Sequence, residues 1–292
     1  MTDTILRALA REAGLRVLAG VTTELVREAA RRHDTGPVAS AALGYGLTAG
    51  ALLGATLKVG QRVALKFAGD GPLVKMVIEA DAYGRVRGYV VQPHAPSPDR
   101  LDAAAVAGAI GIGLLTVAKD LRVKDLYQGT IALTGDGPER DIAHYLAQSE
   151  QVSSLLRLAV EMDETGAIIA AGGLHVELMP GHGERELERL SARLSAMPPM
   201  GEMLLAGKTP EDIVAGLLEG IDYLTLETRP VDFVCSCSRE RSRMALMALG
   251  VSDILEMIVE GEAVVDCHFC HERYVFSASE LMEIFDEMEA EG

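Results

Sequence analysis

Hydrophobic and polar positions change their period several times along the chain, and each change marks an element. Leu15 to Thr23 is an apolar run, β-branched toward its end, that predicts an opening strand. Thr23 is then placed to cap a helix whose apolar stripe is Leu25, Val26, Ala29 and Ala30, with Arg27, Arg31 and Arg32 on the wet face. Gly36-Pro37 breaks that helix and opens a segment, 36–57, with no charged residue. Its length admits a membrane span, but it is built of Ala and Gly rather than Leu, Ile and Phe. The pattern therefore predicts a helix buried in a soluble domain, with Gly46, Gly50 and Gly54 forming a ridge that another element can approach closely.

From Arg62 the period drops to two. Val63, Leu65 and Phe67 face one way while Arg62, Ala64 and Lys66 face the other. Gly69-Asp-Gly-Pro72 and Asp81-Ala-Tyr-Gly84 are turns, so three strands follow one another as a meander. A short Ala-rich helix (103–112), strands at 114–118 and 130–134, and a helix at about 139–149 with Ile142, Tyr145 and Leu146 inward continue the alternation. Leu156, Leu158, Val160 and Met162, then Leu174, Val176 and Leu178, predict two neighbouring antiparallel strands.

After Pro180 the strand signal stops. Leu187, Leu190 and Leu194 mark one amphipathic helix, Met200 to Leu205 a short turn, and Thr209-Pro-Glu-Asp212 heads a helix carrying Ile213, Val214, Leu217 and Leu218. Helices this short are marginal alone and must lean on neighbours. Two further helices are expected near the end, 252–259 and an acidic one at 279–288 presenting Leu281, Ile284, Phe285 and Met288. The fold class is α+β. A β-rich N-terminal core of antiparallel strands around a buried helix (1–180) is followed by a helical linker (181–230) and a small C-terminal module (231–292).

The 292 residues, 49% hydrophobic, suffice for two domains and a sizeable core. A net charge of -16 argues against a nucleic-acid surface, which needs clustered Lys and Arg. Met-Thr-Asp-Thr-Ile-Leu-Arg lacks a basic stretch followed by an apolar one, so a cytoplasmic location is expected, with no membrane partner.

Composition changes the picture most through its four cysteines: Cys235-Ser-Cys237 and Cys267-His-Phe-Cys270. Two close pairs in a chain without an export signal suggest a tetrahedral four-thiolate zinc site, formed by Cys235, Cys237, Cys267 and Cys270. In an extended segment Cys235 and Cys237 share a face, so both can reach one ion, and both can oxidise to each other. Residue chemistry alone leaves three readings open: a structural zinc staple, a redox-responsive zinc switch, and free or disulfide-paired cysteines. His268 and His271 flank the second pair as competing ligands, and Arg239, Arg241 and Arg243 stand where they could favour thiolates. A zinc shell closed by four sulfurs has no position for water, and no Ser-His-Asp set or close carboxylate pair stands out. No catalytic residue is assigned, and the chain is not read as an enzyme.

The run Cys235-Ser-Cys-Ser-Arg-Glu-Arg241, Leu246 to Gly250, and Cys267-His-Phe-Cys-His-Glu-Arg-Tyr274-Val-Phe276 resembles the C-terminal zinc domain of the redox-regulated heat-shock chaperone family, the 33 kDa holdase of bacteria. Gly71-Pro72, Arg87-Gly88-Tyr89, Tyr145-Leu-Ala-Gln-Ser-Glu-Gln151 and Gly172-Gly-Leu-His-Val-Glu-Leu-Met-Pro180 extend the resemblance over nearly the whole chain. It implies an ATP-independent holdase, off when reduced and zinc-bound. It further implies that oxidation joins Cys235 to Cys237 and Cys267 to Cys270 with release of zinc, after which the linker loosens, unfolding client proteins bind and the chain dimerises. Two other classes remain in view: a zinc-ribbon-like adaptor for nucleic acid or protein, and a thiol oxidoreductase, although the CxxC pair does not follow a thioredoxin-like βαβ pattern.

Overall fold

The computed structural model describes residues 2–98 and 100–291. The chain divides into two compact units, one ending at Val234 and the other beginning at Cys235.

In the larger unit, β1 (Thr4–Ala10) and β2 (Leu15–Val21) form a hairpin, followed by α1 (Thr23–His33) and α2 (Pro37–Gly54). The meander β3 (Arg62–Gly69), β4 (Lys75–Asp81) and β5 (Arg85–Val90) follows, then α3 (Ala103–Ile110), β6 (Gly113–Asp120), β7 (Tyr127–Ala132) and α4 (Pro138–Gln148). Next come β8 (Ser154–Met162), β9 (Ile168–Leu178), three helices α5 (Arg185–Ala196), α6 (Met200–Leu205) and α7 (Pro210–Leu217), and the strands β10 (Leu224–Pro230) and β11 (Asp232–Phe233). Two sheets result, ordered β10-β1-β2-β9-β8 and β11-β5-β4-β3-β6-β7. All pairings are antiparallel except β11 on β5.

Helix α2 runs through the core and packs against strands of both sheets. By length and composition it could cross a membrane, yet 89% of it is buried inside its own domain. The glycine ridge has the expected use, on β4: a Cβ at Gly46 or Gly50 would stand 2.6 Å from the Ile78 side chain. Helix α1 includes Thr23, expected as its cap, and is capped from elsewhere. Thr22 and not Thr23 is the cap position, and the helix N-terminus is closed by the Asp3 carboxylate, which accepts the Leu25 N–H at 2.7 Å. Thr23 instead ties the helix to β9, its hydroxyl accepting the Ala171 N–H.

Helices α5–α7 lie over the outer face of the first sheet. Leu187, Leu190, Met203, Ile213, Val214 and Leu217 form one apolar cluster with Leu6, Val17, Leu174 and Val176, separate from the cluster around α2. The stretch 181–230, expected as a helical linker, is helical to Leu217 and ends in β10, which adds to the sheet edge beside β1. Residues 231–234 also belong to this unit: Val231 is buried in its core, and the Val234 N–H donates to Val86 O at 2.9 Å.

The smaller unit holds α8 (Arg239–Met247), α9 (Val251–Glu260), the hairpin β12 (Glu262–Asp266) and β13 (Arg273–Ser277), and α10 (Ala278–Glu291). Its buried apolar core is thin: Leu246, Ile254, Ala263, Phe276, Leu281 and Ile284. A core of that size gives little stability by itself.

Candidate metal centre

Two short segments bring the cysteines together. Cys235 and Cys237 precede α8 in a segment without helix or strand, and α8 is fixed by Ser238, whose hydroxyl accepts the Arg241 N–H at 3.2 Å. Cys267 and Cys270 occupy the tight turn between β12 and β13. There the Cys267 N–H donates to Glu272 O at 2.9 Å and the His271 N–H to Cys267 O at 2.8 Å. His271 completes the turn in the left-handed region, φ 58°, where an L side chain carries a steric cost. Folded this way, the turn aims backbone N–H groups at sulfur: Cys267 accepts from Phe269 and Cys270, and Cys270 accepts from Glu272.

Across the two segments, Cys235 Sγ lies 3.7 Å from Cys267 Sγ, and Cys237 Sγ lies 3.3 Å from Cys270 Sγ. All four sulfurs are within 4.8 Å of one another. A tetrahedral zinc with Zn–S bonds of about 2.3 Å needs sulfurs about 3.8 Å apart, so the observed set can close on one ion with small adjustments. Among the described residues this is the one such group of potential ligand atoms, and neither His268 nor His271 belongs to it. Cys270 is buried and the other three are half-buried.

Burial pushes the Cys267 and Cys270 thiols up; hydrogen bonding with Cys237, Cys235 and Cys267 pushes Cys270 further, whereas at Cys267 the Cys270 thiol and the backbone N–H groups pull down and Cys235 pushes up. A divalent cation reverses that balance and holds coordinating thiols deprotonated. The donor set thus fits a zinc ion in number, spacing and chemistry.

The three arginines at the start of α8 meet groups other than the cysteines. Arg239 reaches Val275 O at 2.9 Å, pairs with Glu280 and lies 4.4 Å over the Phe276 ring. Arg241 donates to Ser236 O at 2.8 Å, and Arg243 pairs with Glu287. Arg239 joins α8 to the hairpin and α10, Arg243 joins it to α10 and also meets Met247 Sδ at 3.5 Å, and Arg241 closes back on the segment before the helix; none of these contacts is with a cysteine. Outside the turn, the Tyr274 hydroxyl donates to Cys237 Sγ at 3.2 Å. Its position was open to inference: Tyr274 and Phe276 alternate on β13 and share the face that Phe276 buries.

Comparison with known proteins is decisive at this point. Residues 3–277 match the family model described as Hsp33 protein. The chain belongs to the Hsp33 family. It is 46% identical over 293 residues to the 33 kDa chaperonin of Geobacter sulfurreducens, covering 99% of this chain and 97% of that one. It is 41% identical over 299 residues to the 33 kDa chaperonin of a Geobacillus species, covering both chains fully. The crystal structure of the 33 kDa chaperonin (heat shock protein 33 homolog) from Thermotoga maritima superposes with a TM-score of 0.89 at 28% identity, over all of both chains. The α+β architecture with its cysteine-bearing C-terminal unit is the Hsp33 fold. Hsp33 is a family of chaperones and not of enzymes, and the relatives' names support a chaperone here.

Proposed function

We propose that this chain is a redox-regulated, ATP-independent holdase of the cytoplasm. On this reading Cys235, Cys237, Cys267 and Cys270 hold zinc in the resting protein. Bound there, zinc would cross-link the two cysteine segments and keep four thiolates deprotonated. The observation that carries the proposal is a closed set of four sulfurs in a module whose apolar core is too thin to stand on its own. Structural zinc contributes about 10–16 kcal/mol to small domains, against a net domain stability of about 5–15 kcal/mol. A module dependent on such a site unfolds when its ligands are oxidised.

Oxidation by peroxide takes two electrons from each pair. One thiolate attacks a peroxide oxygen and hydroxide leaves; the neighbouring thiolate then displaces a second hydroxide as the S–S bond forms. We assign the pairs Cys235 with Cys237 and Cys267 with Cys270. Cys235 follows directly on Val234, and β10, β11 and α5–α7 precede it, so disorder in the module has a short path into the segment covering the first sheet. Lifting α5–α7 would bare the apolar seam of Leu6, Val17, Leu174 and Val176 together with the leucine and methionine faces of the helices, a surface suited to unfolding clients. Dimerisation of the oxidised form would enlarge that surface.

The test is suppression of thermal aggregation of an unrelated protein, with the chain reduced and zinc-loaded and again after peroxide at raised temperature. Strong suppression only after oxidation is expected. Equal activity in both states removes the switch.

A further inference from the structure

Cys237 differs from the two turn cysteines in how its sulfur is held. Cys267 and Cys270 accept backbone N–H groups, which no side-chain change removes, whereas the hydroxyl on Cys237 comes from a side chain on another segment. That side chain is well placed to stay where it is: Tyr274 pairs with Val265 across the hairpin and packs against the cluster of Leu246, Ile254 and Phe276. A hydrogen bond to a thiolate draws electron density from the lone pair that would attack an oxidant.

We propose that Tyr274 is a positioning residue that restrains Cys237, orienting its sulfur toward the other three cysteines and slowing its attack on peroxide. This rests on the zinc-switch reading above. The restrained step is the attack of the Cys237 thiolate on a peroxide oxygen: the O–O bond breaks, hydroxide leaves, and Cys235 then displaces the second hydroxide, so the two electrons come from this cysteine pair and pass to peroxide. With the hydroxyl in place that lone pair is partly engaged. Without it, the same sulfur is less firmly oriented and a better nucleophile.

Tyr274→Phe keeps the ring and removes the donor. Two readings are taken on the full-length protein. The first is the initial rate of zinc release under peroxide, followed with a chromophoric indicator. The second is the sulfur-to-cobalt charge-transfer band of the cobalt-substituted protein. Loss of an outer partner of a metal ligand alters affinity or activity by roughly 10- to 100-fold, so release at least about tenfold faster is expected. The band should move to lower energy, because a freed thiolate donates more strongly. Unchanged rate and band overturn the proposal. Faster release with an unmoved band overturns it too, since that marks loosened packing and not a lost hydrogen bond. Should the Phe variant take up no metal, Tyr274→Gln, which retains a donor, must restore uptake, and failure of both counts against the hydrogen bond. A wild-type protein that takes up neither ion fails at the metal site itself, a result separable from any effect of Tyr274.

Discussion

His175 is fully buried on β9, and neither ring nitrogen meets a hydrogen-bond partner; the nearest carboxylate oxygen, on Glu177, stands 3.5 Å from Nε2. Glu177 is itself paired with Arg16 of β2, while Glu150 after α4 and Lys119 of β6 pair with one another nearby. Burial lowers the His175 pKa below its usual 6.5, outweighing the pull of Glu177. The unfolded chain then binds a proton that the native chain refuses, so this group makes stability fall as pH drops below about 6.5, by up to about 1.4 kcal/mol per pH unit. Asp3, raised to about 6 chiefly by burial, acts in the opposite direction: the native state takes its proton first, and stability rises as pH falls through 6. Comparing wild type with His175→Leu cancels the Asp3 contribution. Urea denaturation of the larger unit at pH 7.5 and 5.5 should show wild type losing more stability on acidification than the variant does. Equal losses would mean that His175 titrates in the native chain as it does in the unfolded one, and a smaller loss in wild type would mean that it is charged in the native state.

Among the elements, α7 has the best-defined local signals. Thr209 and Asp212 form a reciprocal capping box, Pro210 sits in the first turn, and Glu211 and Asp212 face the positive end of the helix. An N-cap contributes about 1 kcal/mol, and in an eight-residue helix this is a large share of local stability. Thr209→Ala should speed hydrogen exchange over 210–217 by roughly fivefold, the factor that about 1 kcal/mol corresponds to, and should lower the peroxide or temperature needed for client holding. Unchanged exchange would show that packing on β1 and β2 alone secures α7. The same box made α7 legible in advance, as period two revealed β3 and period 3.6 revealed α5. Other elements gave no such pattern. In β1, Ile5, Leu6, Ala8 and Ala10 are all buried, so a strand covered on both faces lacks clean alternation. Strand β10 reads Leu-Thr-Leu-Glu-Thr-Arg-Pro, mostly exposed and ending in proline, and becomes a strand through pairing with β1. The two-residue β11 carries no periodic signal at all. Sheet order stayed out of reach for the same reason: alternation tells which face a residue takes, and pairing partners such as β10 with β1 lie more than two hundred residues apart.

At the scale of the whole molecule, the two units rest on different physics. The larger one has an extensive apolar core around α2 and a second seam beneath α5–α7. Among the described residues, the smaller one has a core cluster of six buried apolar residues and four converging sulfurs. The cysteine pairs themselves were plain in the sequence, because CxC and CxxC are local patterns. The arginine contacts to Glu280, Glu287 and Phe276 were not, since those partners lie far along the chain. This contrast supports the proposal that a metal held by sulfur alone keeps the C-terminal unit folded and the holding surface covered. Its most direct test is native mass spectrometry of the reduced chain through a peroxide titration, with hydrogen exchange read on the same samples. The account predicts one zinc per chain at the start, lost in step with protection over 235–292, while β3, β4 and β6 keep theirs. A reduced chain without stoichiometric zinc, or full protection over 235–292 after the metal has gone, would contradict it.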